Sequence, residues 1–207
     1  MALIKLNNRG VRSATAFGSI TALGEMRFIK KLTASGSATL SFVDGASSVV
    51  LDNTYKEYLF TFKDIHPAVA GSIFRVNFSD DTSSHSYDLT KTTSMFRTRL
   101  DEDDSDPTLE YASGTDIAQG TGNQDLVVNI NDNNDSCCAG YLHLFNPSST
   151  TFVKHFISIM NSDGESSRCF GSYVAGYVNT TAAVTAVRFT FGGNNIDVGD
   201  ICLYGIV

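Results

Sequence analysis

A chain of 207 residues with 42% hydrophobic side chains, among them 14 Phe and 8 Tyr, has the material for one large core and is not globally disordered. Its 23 Ser, 20 Thr, 14 Asn and 17 Gly exclude a helical bundle or coiled coil, because hydroxyl and amide side chains compete for backbone hydrogen bonds and glycine is costly in a helix. The net charge of −7 is carried by residues 32–207, where nine basic residues face 21 acidic ones, and so acidic a body would repel nucleic-acid phosphate.

Residues 1–31 have the opposite sign: Lys5, Arg9, Arg12, Arg27, Lys30 and Lys31 stand against Glu25 alone, a net +5. The first twenty residues show no sustained helical period, and a cationic leader on an acidic body has the layout of a docking arm, with a solvated first strand as the equal alternative. The chain therefore divides into an extended N-terminal arm, residues 1–25, and a β-domain, residues 26–207. Residues 1–6 lack the roughly 7–15-residue apolar stretch of a signal peptide, and no run approaches the roughly 18 apolar residues of a membrane helix. Neither signal-directed export nor membrane insertion is expected.

Beyond the arm, Thr39-Leu40-Ser41-Phe42 alternates polar and apolar residues, the pattern of a half-buried strand, and Val43-Asp44-Gly45 turns the chain. Residues 58–62 and 73–78 follow as strands; in the second, Phe74, Val76 and Phe78 face one way while Arg75 and Asn77 face the other. Residues 86–90 and 94–100 read as weaker strands, the acidic stretch 101–107 as a solvated loop, and residues 109–122 as the place for one short helical turn. Segments 126–130, 141–145, 152–160, 173–178, 187–191 and 201–207 complete about ten strands. That is too many for one flat sheet of ordinary size. The regular turn signals predict an all-β fold, an antiparallel two-sheet sandwich of jelly-roll type.

Cys137, Cys138, Cys169 and Cys202 fit neither a zinc spacing nor a disulfide scaffold. Reduced, mostly buried thiols are expected, with a bridge from Cys169 to Cys137 or Cys138 as the alternative. The acidic run 101–106 and the Asn131-x-Asn133-x-Asp135 spacing lack the fixed ligand register of a calcium loop, so no metal is assigned. His66, His85, His143 and His155 form no metal or triad pair, and there is neither a Gly-x-Ser-x-Gly elbow nor a phosphate loop. Nothing in the sequence requires a cofactor. Without Trp, a sugar-stacking surface would fall to Tyr141, Tyr173 and Tyr177, although packing in or around the core is the commoner role for such residues.

Several segments carry a resemblance. They are residues 1–20, Tyr55-Lys56-Glu57-Tyr58, Ile65-His66-Pro67-Ala68, the stretch 144–156 containing Phe145-Asn146-Pro147-Ser148-Ser149, Asn179-Thr180-Thr181, and the closing Leu203-Tyr204-Gly205-Ile206-Val207. Together they resemble a family of short virion surface proteins encoded by marine tailed phages, notably cyanophages, of fibre-like or capsid-decoration type. None of these segments is a catalytic motif. The resemblance implies a particle-borne β-sandwich with an N-terminal attachment segment, assembled in the host cytoplasm, and it transfers no catalytic residue.

The expected function is thus that of a non-enzymatic virion protein, a homotrimer bound to other virion proteins, the major capsid protein or a tail protein. Lys5, Arg9 and Arg12 are the expected anchoring cations, with Leu3, Ile4, Leu6 and Val11 as apolar pegs. The alternative is an adsorption protein that recognises a host-surface glycan through loops 101–107 or 131–136.

Overall fold

The computed structural model describes residues 26–207. Within them the period-two alternation becomes twelve strands and no helix. The strands are β1 Met26–Ser37, β2 Thr39–Val43, β3 Glu57–Pro67, β4 Ser72–Ser79, β5 Lys91–Asp101 and β6 Thr108–Tyr111. They continue as β7 Gln124–Ile130, β8 Cys138–Phe145, β9 Lys154–Gly164, β10 Arg168–Val178, β11 Ala186–Thr190 and β12 Ile196–Ile206.

All pairings are antiparallel, and they join the strands into one curled, nearly closed, barrel-like sheet. One arc runs β1-β12-β3-β8-β9-β10-β5-β6 and the other β2-β11-β4-β7. A bridge between Ile130 and Gly164 links β7 to β9. On the opposite side the chain itself passes between arcs, from β1 into β2 at Ala38 and from β11 into β12 through residues 191–195. Ser37 pairs with Ile196 and Thr39 with Thr190, so the two bends face each other. The all-β antiparallel expectation therefore holds. Of the expected two-sheet sandwich the structure shows the coarser feature, a single nearly closed sheet whose two arcs are joined by the Ile130–Gly164 bridge.

Two local expectations change. Residues 86–90 are not a strand: the Asp81 carboxylate accepts backbone N–H bonds from Ser83, Ser84, His85 and Ser86 at 2.6–3.1 Å, which fixes this stretch as a loop. Those bonds, led by Ser86 and His85, hold the Asp81 carboxyl far below the usual carboxylate range. The expected helical turn in 109–122 is absent because Leu109 and Tyr111 are paired with Thr98 and Phe96 in the β5–β6 hairpin. In β3 the ladder to β8 shifts between Phe62 and Ile65, and Asp64 adopts a left-handed conformation. Opposite it stands Gly199, where a Cβ would lie 2.7 Å from the Asp64 carbonyl oxygen.

Alternation also places the core. Phe189 of β11 has ring centroids of Phe42, Phe60, Phe62 and Phe74 within 5.1–6.3 Å, mostly edge-to-face. Phe60 and Phe62 come from one arc and Phe42, Phe74 and Phe189 from the other, so this cluster holds the arcs together. Truncating a ring buried this way removes transfer free energy and leaves a cavity. Phe189→Ala is expected to cost about 3–5 kcal/mol in urea denaturation, and a loss under about 1 kcal/mol would remove Phe189 from that role.

Candidate interaction surfaces

The outward side of strands β8, β9, β10, β5 and β6 is the most distinctive surface. Strand register sets Tyr111, Phe96, Tyr173, Ile159 and Tyr141 side by side in one row across the five strands. Phe96 and Tyr173 stack with centroids 4.7 Å apart and planes within 5°. Phe96 is 47% exposed and Tyr111 58%. Two residues along the strands on one side, Ser94 and Ala175 floor a depression of about 540 Å³, walled by Ile157, His155 and Tyr177. Two residues the other way, Thr98, Gly171 and Ala139 line a second depression of about 330 Å³. The charged residues of β5 and β10 (Arg97, Arg99, Asp101 and Arg168) take the alternate positions, where Arg97 pairs with Glu110 and Arg168 with Asp101. Two carboxylates touch the apolar side among the described residues: Asp163, at the end of β9, and Asp116, which accepts from the Tyr111 hydroxyl at 2.7 Å.

Tyr141, Tyr173 and Tyr177, singled out in the sequence, thus share one outer face and do not enter the core. Phe96, Tyr111 and Ile159, equally part of it, had no sequence signal, since only the pairing of distant strands aligns them. His143 lies outward as its alternation with Leu142 and Leu144 requires, 3.1 Å from the Glu57 carboxylate. His155 sits beside Tyr177, ring centroids 5.9 Å apart.

The expected anchoring residues Leu3, Ile4, Lys5, Leu6, Arg9, Val11 and Arg12 lie outside the described residues. The described residues begin at Met26 on β1, which is an edge strand of the sheet among them. Its first residues combine exposed apolar side chains (Met26 at 54%, Phe28 at 60%) with Arg27, Lys30 and Lys31. Phe28 packs on Tyr204 of β12, and Lys31 pairs with Asp200 at 3.1 Å.

The two acidic loops are internally engaged. In the first, Asp106 pairs with Arg99, Asp101 with Arg168 at 2.9 Å, and Asp103 accepts from Ser105, whose bonds hold its carboxyl below the usual range. In the second, the Asn131 side chain accepts from the backbone of Asp132 and Asn133 as a turn. Among the described residues no three His, Cys, Asp or Glu side chains converge in metal-binding geometry. All four cysteines are free thiols. Cys138 points into the core while Cys169 is exposed on the outer face, which precludes the bridge between them. Burial raises the thiol pKa of Cys138 well above the usual value and that of Cys137 more modestly.

Two lysines are fully buried beneath the apolar face. Lys91 donates to the carbonyls of Leu89 (2.8 Å), Gly122 (2.7 Å) and Thr121 (3.3 Å). Lys154 donates to those of Phe152 (2.9 Å) and Thr180 (3.0 Å). Each buried ammonium is thus satisfied by backbone carbonyls of the loops beside its strand. Comparison with protein-family models, curated proteins and solved structures gives no match for the chain.

Burial pushes the Lys91 pKa down to about 8, with nearby Asp88 opposing the shift. The folded protein therefore releases this proton before the unfolded chain does. Between that value and the ordinary lysine pKa near 10.4 the unfolded state binds more protons, and stability from this site rises with pH, by at most about 3 kcal/mol. Urea titrations from pH 7 to 10 should show wild type gaining on Lys91→Met; parallel curves would contradict the assignment.

Proposed function

We propose that this chain is a non-enzymatic structural protein of a bacteriophage virion, displayed on the particle surface as a capsid-decoration or head-fibre protein and held there by residues 1–25. The observation that carries the reading is where the body begins. Met26 stands on β1, an edge strand among the described residues, where exposed Phe28 and Lys31 and half-buried Arg27 and Lys30 lie next to the point at which residues 1–25 join the sheet. In this reading Leu3, Ile4, Leu6 and Val11 bury apolar area at about 25 cal/mol per Å², while Lys5, Arg9 and Arg12 meet acidic groups on a major capsid or tail protein.

The fold is read as a jelly roll carrying two insertions. Without β5, β6, β9 and β10, eight strands remain. Numbered in chain order, they pair as first-eighth-third-sixth in one arc and second-seventh-fourth-fifth in the other. This is the jelly-roll order, an architecture used by viral capsid and lectin domains. The β5–β6 and β9–β10 hairpins then extend one arc through the β5–β10 pairing. A second reading, an adsorption protein for a host-surface glycan, is favoured by the outward placing of Tyr177 on one open depression and of Tyr141 and Tyr173 on another.

Gold-labelled antibody against residues 26–207 should decorate the heads of purified virions evenly; gold confined to tail tips would favour the glycan reading, and unlabelled particles would refute a virion role. Deleting residues 1–20 removes no residue of any described strand. The shortened chain is expected to keep its strand-type circular dichroism and lose particle binding, and retained binding would refute anchorage by the arm.

A further inference from the structure

From the outer face of β8, β9, β10, β5 and β6 we infer that the chain forms a two-fold dimer with a second copy of itself, face to face across this surface. The inference concerns the purified chain and stands apart from its place on a particle.

Three features choose a second copy over another partner. The first is shape. The row Tyr111, Phe96, Tyr173, Ile159 and Tyr141 is a ridge; on β5 and β10 its neighbours are small, Ser94 and Ala175 on one side and Thr98 and Gly171 on the other, and leave depressions, while Ile157 and His143 continue the Ser94–Ala175 row on β9 and β8. Rows on one strand face repeat about every 6.8 Å, so ridge and depression have matching spacing. A two-fold axis lying in the interface, parallel to the ridge and midway between it and the Ser94–Ala175 row, seats Phe96 and Tyr173 of each copy over Ser94 and Ala175 of the other and sets Ile159 against Ile157. Tyr173 of one copy then faces Ala175 of the other, and the reverse contact is identical. Self-complementarity of this kind defines an isologous interface.

The second feature is charge. Residues 26–207 hold 12 basic and 21 acidic residues, a net −9, so two bodies repel wherever their charged surfaces meet. Among the described residues, the outward positions of these strands carry Asp163 and neither Lys nor Arg, and the rim adds Asp116, which accepts from the Tyr111 hydroxyl at 2.7 Å; so low a charge density allows like to meet like.

The third is area. Five strands about 4.8 Å apart and four outward rows cover roughly 650 Å² in projection, comparable with the about 800 Å² of accessible surface that each partner contributes to a stable interface. Contiguous exposed apolar patches of this size on soluble proteins mark interaction sites. The three-fold assembly implied by the resemblance would instead need two different patches in each contact.

Light scattering of the full chain after size exclusion, at tens of micromolar, reads the outcome. Wild type is expected at twice the chain mass. Tyr173→Asp on the ridge and Ala175→Arg in the depression are each expected at the monomer mass, with circular dichroism unchanged because both side chains point outward. Mixing the two variants should restore the dimer mass, since the mixed pair has one native contact and one Asp–Arg contact. A monomeric or trimeric wild type, either variant holding the dimer mass, or a mixture that stays monomeric would overturn the proposal. So would a monomeric wild type that binds an oligosaccharide in a Tyr173-dependent way, which would give this face to glycan recognition.

Discussion

Phe189 touches four other phenylalanine rings, and two of them, Phe60 and Phe62, belong to the opposite arc of the sheet. Apolar burial is non-directional, so the cluster alone would tolerate many arrangements of the arcs. Register removes that freedom. The β1–β2 and β12–β11 ribbons bend opposite each other, and pairing on both sides of the bend fixes how one arc folds over the other. The bend on the β12–β11 side passes Gly192, where a Cβ would run into the Arg75 guanidinium, itself paired with Asp125 at 2.7 Å. Hydrophobic attraction draws the arcs together, and the bent ribbons set their geometry.

The β5–β6 and β9–β10 extension follows a different rule. Its inward side holds Lys91, Thr93, Ser158, Ser162 and Ser172, all buried, while Phe96, Ile157 and Tyr173 face outward. Polar groups at such depth are tolerated because they are mostly bonded: Lys91 by three carbonyls, Thr93 by Gln124, and Ser158 by the Tyr141 carbonyl. The same inward side also buries Met95, Phe156, Met160, Phe170 and Val174, so the extension carries apolar side chains on both faces and leaves the outer ones in reach of solvent.

The same two-sided packing explains what the sequence disclosed. Strands β2, β3 and β4 were legible because each buries its large apolar side chains on one face, so that Leu40 and Phe42, or Phe74, Val76 and Phe78, recur at every second residue. In β9 and β10 both faces carry apolar side chains: Phe156 and Met160 lie inside while Ile157 and Ile159 lie outside, and Phe170 and Val174 lie inside while Tyr173 and Tyr177 lie outside. Alternation then shows a strand without showing which side is exposed. The three tyrosines were visible as candidates from residue type. The row they share with Phe96 and Ile159 was not, because it depends on pairing between segments as far apart as residues 96 and 173. The loop at 81–86 escaped notice for a related reason: one carboxylate, Asp81, organises it by bonding to backbone that any sequence would supply.

Strand order also relates the two ends of the long arc. β1, where the cationic segment joins, and β6, at the far side of the apolar face, are separated by seven strand spacings, about 34 Å along the sheet. A two-fold pairing centred on β10 covers neither β1 edge, and it places one such edge on each copy, away from the contact. Under the proposed anchorage, a dimer would bring two copies of residues 1–25 to one particle, and the second attachment would form at an effective concentration set by the first, so two individually weak contacts would act together. Apolar self-association and polar anchorage would then draw on separate parts of the chain.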